Sequence, residues 1–141
     1  MKAFADLDKT SIVEEVTDSF TQLVVEINQK NIAGWEKYYS RDEFTSAVTG
    51  GTIFVTRSDW VKAMTNNFAM RKQQHLELQE VQVLPLTLDT AMLTSQEKVD
   101  MQLTSGQNFS FKHVFTIIWK KEQNGWKILH SHESWIEETD Q

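Results

Sequence analysis

Cysteine is absent from the 141-residue chain. Without thiols the protein can form neither disulfides nor thiolate metal sites, so these two ways of stabilising a fold are excluded. The absence suits a reducing compartment, and we expect the protein to be cytoplasmic. With 40% hydrophobic and 24% charged residues, the composition is that of an ordinary globular protein, and residues 1–141 are predicted to form a single domain.

Long hydrophobic runs are lacking as well. The first residues, MKAFADLDKTSI, contain no apolar run, so we expect no signal peptide. No stretch approaches the roughly 20 apolar residues of a membrane span, so no membrane partner is expected. The formal net charge of −6 disfavours binding to a phosphate backbone, and the short WKK segment does not suggest a basic patch. We therefore expect no nucleic-acid partner.

Helical periodicity marks three segments in the first half of the chain. Ser11 with Glu14 fits a capping box, and Asn31 and Ser58 are the N-cap candidates of the next two helices. Between the second and third helices, EFTSAVTGGTIFVT predicts a strand and tight turn. The apolar residues that recur at helical spacing are Ile12, Val16, Phe20, Leu23, Val24 and Ile27, then Trp35 and Tyr38, then Trp60, Met64 and Phe68.

After Arg71 the period changes to that of strands. HLELQEVQVLPL alternates, but its phase slips, which predicts a β-bulge near Gln79 and Glu80. Three further strands follow in TAMLTSQEKVDMQL, FSFKHVFTIIWKK and the segment after Asn124-Gly125, a hairpin signal. Helices followed by long antiparallel strands predict an α+β fold in which a curved sheet wraps around the N-terminal helices.

The order of these elements and the terminal GWKILHSHESW (residues 125–135) resemble the nuclear-transport-factor-two-like superfamily. This family includes SnoaL-like proteins, ketosteroid isomerase and the association domain of calcium/calmodulin-dependent kinase. The resemblance implies a cone-shaped, cystatin-like or SnoaL-like α+β fold that encloses an apolar pocket. It also implies a homodimer formed through the outer face of the sheet, for which Val99, Met101, Val114 and Ile118 are the candidate residues.

The isomerase machinery itself has no counterpart here. The isomerase base corresponds to the stretch SAVT, and its oxyanion-hole aspartate corresponds to the strand HVFTIIW; neither stretch contains an acid. The only tyrosines, Tyr38 and Tyr39, do not match the isomerase tyrosine in the first helix. A steroid-isomerase mechanism is therefore not expected.

The face of the last strand that points inward depends on the hairpin before it. A clean two-residue turn at Asn124-Gly125 would place His130 and His132 on the same face as Trp119. A longer turn or a bulge would reverse the parity and bring Ser131, Glu133 and Trp135 to that face. The kinase association domain, whose residue matching Glu133 lines its cavity, favours the second arrangement.

The second arrangement assigns Glu133 and His113 as candidate catalytic residues, because a carboxylate in an apolar cavity has a raised pKa that suits proton transfer. Structural roles are the alternative, since a histidine on an apolar strand is commonly a hydrogen-bonded core residue.

His130 and His132 share one face as two metal ligands would, but the spacing supplies no third ligand. No metal and no cofactor is therefore predicted. The candidate ligand-binding residues are Trp35, Tyr38, Trp60, Phe115, Ile117, Trp119 and Trp135, and each of the tryptophans could instead be core.

Three functions are compatible with these residues. The first is a module that binds a small apolar or aromatic molecule without turning it over. The second is an isomerase, cyclase or dehydratase that uses the Glu133 and His113 pair. The third is a homo-oligomerisation domain with a vestigial cavity.

Overall fold

Helices precede the strands of one curved sheet in the computed structural model, which describes residues 4–138. The helices are α1 (Asp6–Asn28), α2 (Ile32–Trp35), continued by a 3₁₀ turn (Glu36–Tyr38), and α3 (Arg57–Ala69). The strands are β1 (Thr45–Val48), β2 (Thr52–Phe54), β3 (Arg71–Thr87), β4 (Thr90–Leu103), β5 (Asn108–Glu122) and β6 (Gly125–Glu137). The predicted α+β class is confirmed. None of the described helices is long and apolar enough to cross a bilayer.

The sheet has the order β2-β1-β6-β5-β4-β3. All neighbouring strands are antiparallel except β1 and β6, which are parallel. This arrangement places β6 in the interior of the sheet although it is the last strand in the chain. The long strand β3 forms one edge, which explains why it tolerates Pro85, a residue without an N–H to donate to a neighbour.

Helix α1 packs its predicted apolar stripe against the concave face of the sheet. The six stripe residues from Ile12 to Ile27 are all buried. Burial of each such side chain contributes about 1.5–3 kcal/mol, so this stripe is a major reason why the helix stays on the sheet.

The helix starts differ from the sequence prediction at two places. Helix α1 begins at Asp6 after Ala5, so the capping box at Ser11 and Glu14 is wrong; both residues lie inside the helix. Helix α3 is capped by Thr56, whose Oγ1 accepts from the Asp59 N–H at 3.1 Å, two residues before the predicted cap. The α2 cap is confirmed, with Asn31 Oδ1 accepting from the Gly34 N–H at 3.3 Å. In the two corrected cases a flanking residue with extended backbone takes the cap position.

A bulge at Gln79 is confirmed, because the register of β3 against β4 shifts between Leu78 and Glu80.

Part of the predicted dimer face is wrong, because two of its four candidate residues point toward the interior. Val99 is buried, and both Val99 and Met101 line the interior cavity. They alternate in phase with buried Leu93 on the concave face of β4, so they cannot contribute to an outer surface.

Candidate functional site

A cavity of about 150 Å³ lies between the helices and the concave face of the sheet. It is partly open to solvent, and apolar side chains provide most of its surface. Its polar groups are concentrated on the sheet side. The lining residues are Ile27, Trp35, Tyr39, Trp60, Met64, Phe68, Arg71, Leu76, Val99, Met101, Phe111, His113, Phe115, Glu133 and Trp135.

A histidine lies between two carboxylates on the sheet wall of this cavity. Glu97 on β4 and His113 on β5 are directly opposite each other, and His113 Nδ1 is 2.8 Å from Glu97 Oε1. Glu133 on β6 is opposite Phe115, diagonal to His113, and its Oε2 is 3.1 Å from His113 Nε2. Three adjacent strands therefore build one hydrogen-bonded chain, Glu97–His113–Glu133, in which only Glu133 and His113 line the cavity.

The two carboxylates determine the charge of His113. Burial alone would lower its pKa, but the hydrogen bonds and negative charges of Glu133 and Glu97 outweigh burial and raise the pKa to about 9. At neutral pH His113 is therefore an imidazolium that donates one N–H to each carboxylate. Trp135 stacks parallel to the ring, with 6.3 Å between centroids, and Phe115 meets it edge-on at 4.3 Å. These aromatic contacts hold the imidazolium ring in place.

A bulge at Leu129 brings Glu133 to the cavity. From the turn, the pairing of β5 and β6 runs through Trp119 opposite Ile128, then shifts so that Ile118 is opposite His130. Leu129 is the extra residue, and it reverses the parity of the rest of β6. Ser131 and Glu133 consequently face inward, while His132 faces outward and is exposed. The structure thus has the second of the two arrangements considered from the sequence.

Aromatic residues form the opposite wall of the cavity. Trp60, Met64 and Phe68 follow one another at intervals of four along α3, so a single face of this helix supplies all three. Trp35 lies 4.7 Å from Tyr39 and 6.0 Å from Trp60, measured between ring centroids. Burial, followed by the negative charge of Glu133, raises the pKa of the Tyr39 hydroxyl. Tyr39 therefore stays neutral and keeps its proton as a hydrogen-bond donor.

Six of the nine residues predicted for the site line the cavity: Trp35, Trp60, His113, Phe115, Glu133 and Trp135. Three lie elsewhere. Ile117 and Trp119 are fully buried in the core nearer the turn of β5 and β6. Tyr38 is half-buried and faces a separate surface depression, because the 3₁₀ turn after α2 gives its predicted place to Tyr39.

Three residues at or beside the cavity were not predicted from the sequence: Glu97, Arg71 and Tyr39. A signal for Glu97 was present, since it alternates in phase with Leu93 and Val99 on β4 and therefore faces inward. Tyr39 lies four residues after Trp35, which also fits a shared helical face. Arg71 begins β3, one residue after the end of α3, and had no periodic signal, because its position depends on the docking of α3 against β3.

The three ionisable groups do not form a metal centre. Within residues 4–138 no three or more His, Cys, Asp or Glu side chains are arranged to hold a metal ion. Glu97 and Glu133 contact opposite nitrogens of His113, so their oxygens do not converge on one point. The arrangement instead suits the holding and moving of a proton.

The family model for the SnoaL-like domain matches residues 13–137. The chain belongs to the SnoaL-like family. This membership places it in the nuclear-transport-factor-two-like superfamily, as the sequence resemblance indicated. No curated protein sequence matches the chain.

Solved structures of this superfamily share the fold at low sequence identity. A candidate dehydratase from Streptomyces avermitilis superimposes with a TM-score of 0.77 at 17% identity, covering 87% of this chain and 95% of its own. A candidate scytalone dehydratase from Novosphingobium aromaticivorans gives 0.81 at 8% identity, covering 91% and 86%. The hexachlorocyclohexane dehydrochlorinase LinA-type3 from Novosphingobium barchaimii gives 0.76 at 11% identity, covering 97% of each chain. At these identities the similarity establishes the fold alone.

Proposed function

We propose that this protein is a cofactor-independent enzyme of the dehydratase type, which removes a proton from a small and largely apolar ring compound. The observation that carries the proposal is the position of the Glu133 carboxylate. One of its oxygens is fixed by His113, while the other accepts no hydrogen bond within residues 4–138. The side chain is 12% exposed and lines the cavity. It therefore combines a fixed orientation with a lone pair available to a substrate.

Glu133 suits the role of base better than His113 does. Both ring nitrogens of His113 are engaged by carboxylates, and its raised pKa keeps it protonated at neutral pH. A positioned carboxylate in a water-poor cavity accelerates proton transfer by about 10²–10⁴-fold. When Glu133 accepts a proton it loses its charge, and Glu97 keeps His113 paired with an anion throughout the reaction.

Elimination of water uses these groups without an external reactant. Glu133 removes a proton from carbon, and the C–H electron pair forms a carbon–carbon double bond. The carbon–oxygen bond of a neighbouring hydroxyl breaks, and the hydroxyl leaves as water after taking back from Glu133 the proton that this residue removed from carbon. The atoms and charges balance, and both residues finish in the state in which they began.

The size and lining of the cavity support a ring-shaped ligand. Its volume of about 150 Å³ is comparable to that of an engineered apolar cavity that binds benzene. Trp60, Phe68 and Trp135 provide flat surfaces for such a ring. The names of the three structural neighbours also support the proposal, since each describes an elimination of water or of hydrogen chloride.

Binding without turnover is the second candidate. The observation that favours it is that His113 directs both ring nitrogens to its own carboxylates, which leaves no nitrogen for a ligand. In that case the Glu97–His113–Glu133 chain would only stabilise and shape a pocket for an apolar or aromatic molecule.

A comparison of two variants of β6 separates the candidates. Hydroxylated cyclic compounds that shift NMR resonances of cavity residues would be assayed for an alkene product by mass spectrometry. We expect product from the wild-type protein, and a fall of about 10²-fold or more in kcat for Glu133→Gln with binding retained. His132→Gln, an outward-facing control on the same strand, is expected to keep full activity. Binding without product, or unchanged activity in Glu133→Gln, would contradict the proposed enzyme.

A further inference from the structure

Arg71 is an inward-facing cation fixed by neutral groups. Its Nη1 donates to Gln74 Oε1 at 2.7 Å, and Gln74, which is 4% exposed, donates through Nε2 to the carbonyl oxygen of Ile27 at 2.5 Å. Lys30 Nζ donates to the Arg71 carbonyl oxygen, which fixes the backbone at the start of β3. The guanidinium group also lies over the ring of Phe68, 5.8 Å from its centroid. The side chain is thus held at the cavity wall by a built support.

No carboxylate pairs with Arg71 among residues 4–138. Every ion pair within 4.0 Å in this part of the chain involves other cations, namely His113 and Lys121. Glu133 acts on Arg71 only through its longer-range charge, and its nearer partner is His113. Burial lowers the pKa of the guanidinium group, which shows that its surroundings solvate the charge poorly.

A partly buried cation without an anion is costly, and a ligand that supplies the anion removes that cost. Guanidinium carries five N–H donors in a planar fork, and the only side-chain acceptor for Arg71 within the described residues is Gln74. A planar carboxylate matches the remaining donors with two parallel hydrogen bonds. Phe68 lies beside Arg71, and Met64 and Met101 are further apolar residues that line the same cavity.

We propose that Arg71 is the anchor for the carboxylate of the ligand, so that the cavity selects small aromatic or alicyclic carboxylic acids over neutral analogues. The carboxylate would pair with Arg71, and the ring would lie among the aromatic side chains beside Glu133. This inference rests on the cavity being the ligand site of the proposed function, and it narrows that function to acid substrates. It does not depend on turnover.

The test is a binding comparison between acids and amides of the same shape. Benzoate and 3-phenylpropanoate, with their carboxamides, would be titrated at pH 7.5 and followed by NMR. Charge-assisted hydrogen bonds contribute about 1.5–3 kcal/mol, so we expect each acid to bind roughly 10-fold or more tightly than its amide. In Arg71→Gln this preference is expected to disappear. In Arg71→Lys, which keeps the charge but loses the fork, the preference should be intermediate and the fold retained.

Two controls make the result specific. Lys72→Gln removes the same charge from the adjacent, exposed position and is expected to keep the preference. Glu133→Gln is expected to bind the acids at least as tightly as the wild type, because it removes a negative charge from the cavity, although its kcat should fall. Equal binding of acid and amide would overturn the anchor and leave the proposed enzyme standing. Failure of every probe to bind would overturn the anchor as well, and loss of turnover alone would affect only the proposed function.

Discussion

Both faces of β6 carry polar residues, but their surroundings differ. On the concave face, Ser131 is buried and Glu133 contacts the buried imidazolium of His113. On the convex face, His132 is exposed, and His130 contacts the Thr45 hydroxyl at 2.8 Å. Neighbouring polar residues thus have different possible functions because one face is enclosed by helices and aromatic side chains. In water a carboxylate and an imidazolium interact weakly, whereas in the cavity the paired carboxylates raise the pKa of His113.

The strongest way to break this difference is to remove the bulge. Deletion of Leu129 together with His130 removes the bulge and one paired residue, so Ser131 would lie opposite Ile118, His132 would turn inward and Glu133 outward. His113 would lose a carboxylate and the core would receive polar groups without partners. We expect a loss of about 5 kcal/mol or more in the free energy of unfolding, or no folded protein.

Denaturant unfolding followed by tryptophan fluorescence measures this effect. As a control, one glycine inserted between Gly50 and Gly51, in the turn of the outermost hairpin, is expected to cost less than about 1 kcal/mol. A variant lacking both Leu129 and His130 that is as stable as that control would show that the stability of the fold does not depend on the parity of β6.

Carboxylates on the two faces of the sheet should also differ in how much they contribute to the stability of the fold. Glu97 is 1% exposed and pairs with His113, whereas Glu77 on neighbouring β3 is exposed. Glu97→Gln would leave a buried imidazolium with one anion, and we expect a destabilisation of about 3 kcal/mol. Glu77→Gln is expected to change stability by less than about 0.5 kcal/mol. Thermal and urea unfolding of both variants make the comparison, and equal effects would refute the importance of the inner pair.

The charge of His113 predicts how stability depends on pH. Its pKa is raised from 6.5 to about 9 in the folded protein, so the stabilisation is fully present below pH 6.5 and is lost as the pH rises through 9. The shift corresponds to at most about 3 kcal/mol. Urea midpoints measured from pH 6 to pH 10 should fall across this window. In His113→Gln the fall should be absent, and an unchanged pH profile in that variant would assign the effect to other groups.

The smallest effect on stability is expected on the convex face. Val114 is 40% and Ile136 is 68% exposed there, and the homodimer contact implied by the family resemblance remains a prediction. Lysine at either position should alter the stability of the monomer by less than about 0.5 kcal/mol. If this face forms the dimer, sedimentation would show that the same variants shift the protein from dimer to monomer. A wild-type protein that sediments only as a monomer would contradict the dimer.

Local patterns predicted most of the fold. The α1 stripe, the β3 bulge near Gln79, the extent of β4 (Thr90–Leu103) and the turn at Gly50-Gly51 follow from spacing and turn chemistry. Helix caps were less predictable, since several residues near each start could accept the same N–H. The six cavity residues that were predicted lie on well-defined helices or strands. Arg71 and Tyr38 lie near an element end, and Glu97 lies on a strand whose polar inward positions were not followed. Ile117 and Trp119 face inward on β5, but they lie in the core beyond the cavity.

The sequence by itself determined the order of helices and strands, the inward phase of each strand between its bulges, and the identity of the residues available for chemistry. Alternation and helical spacing are local properties, so they can be read without knowing which elements meet. Only the tertiary structure decided that Leu129 bulges, that Glu97, His113 and Glu133 meet on three neighbouring strands, and that Arg71 has no carboxylate beside it among the described residues. These features depend on pairing between residues distant in the chain, and the protonation of His113 depends on the two carboxylates that this pairing brings to it.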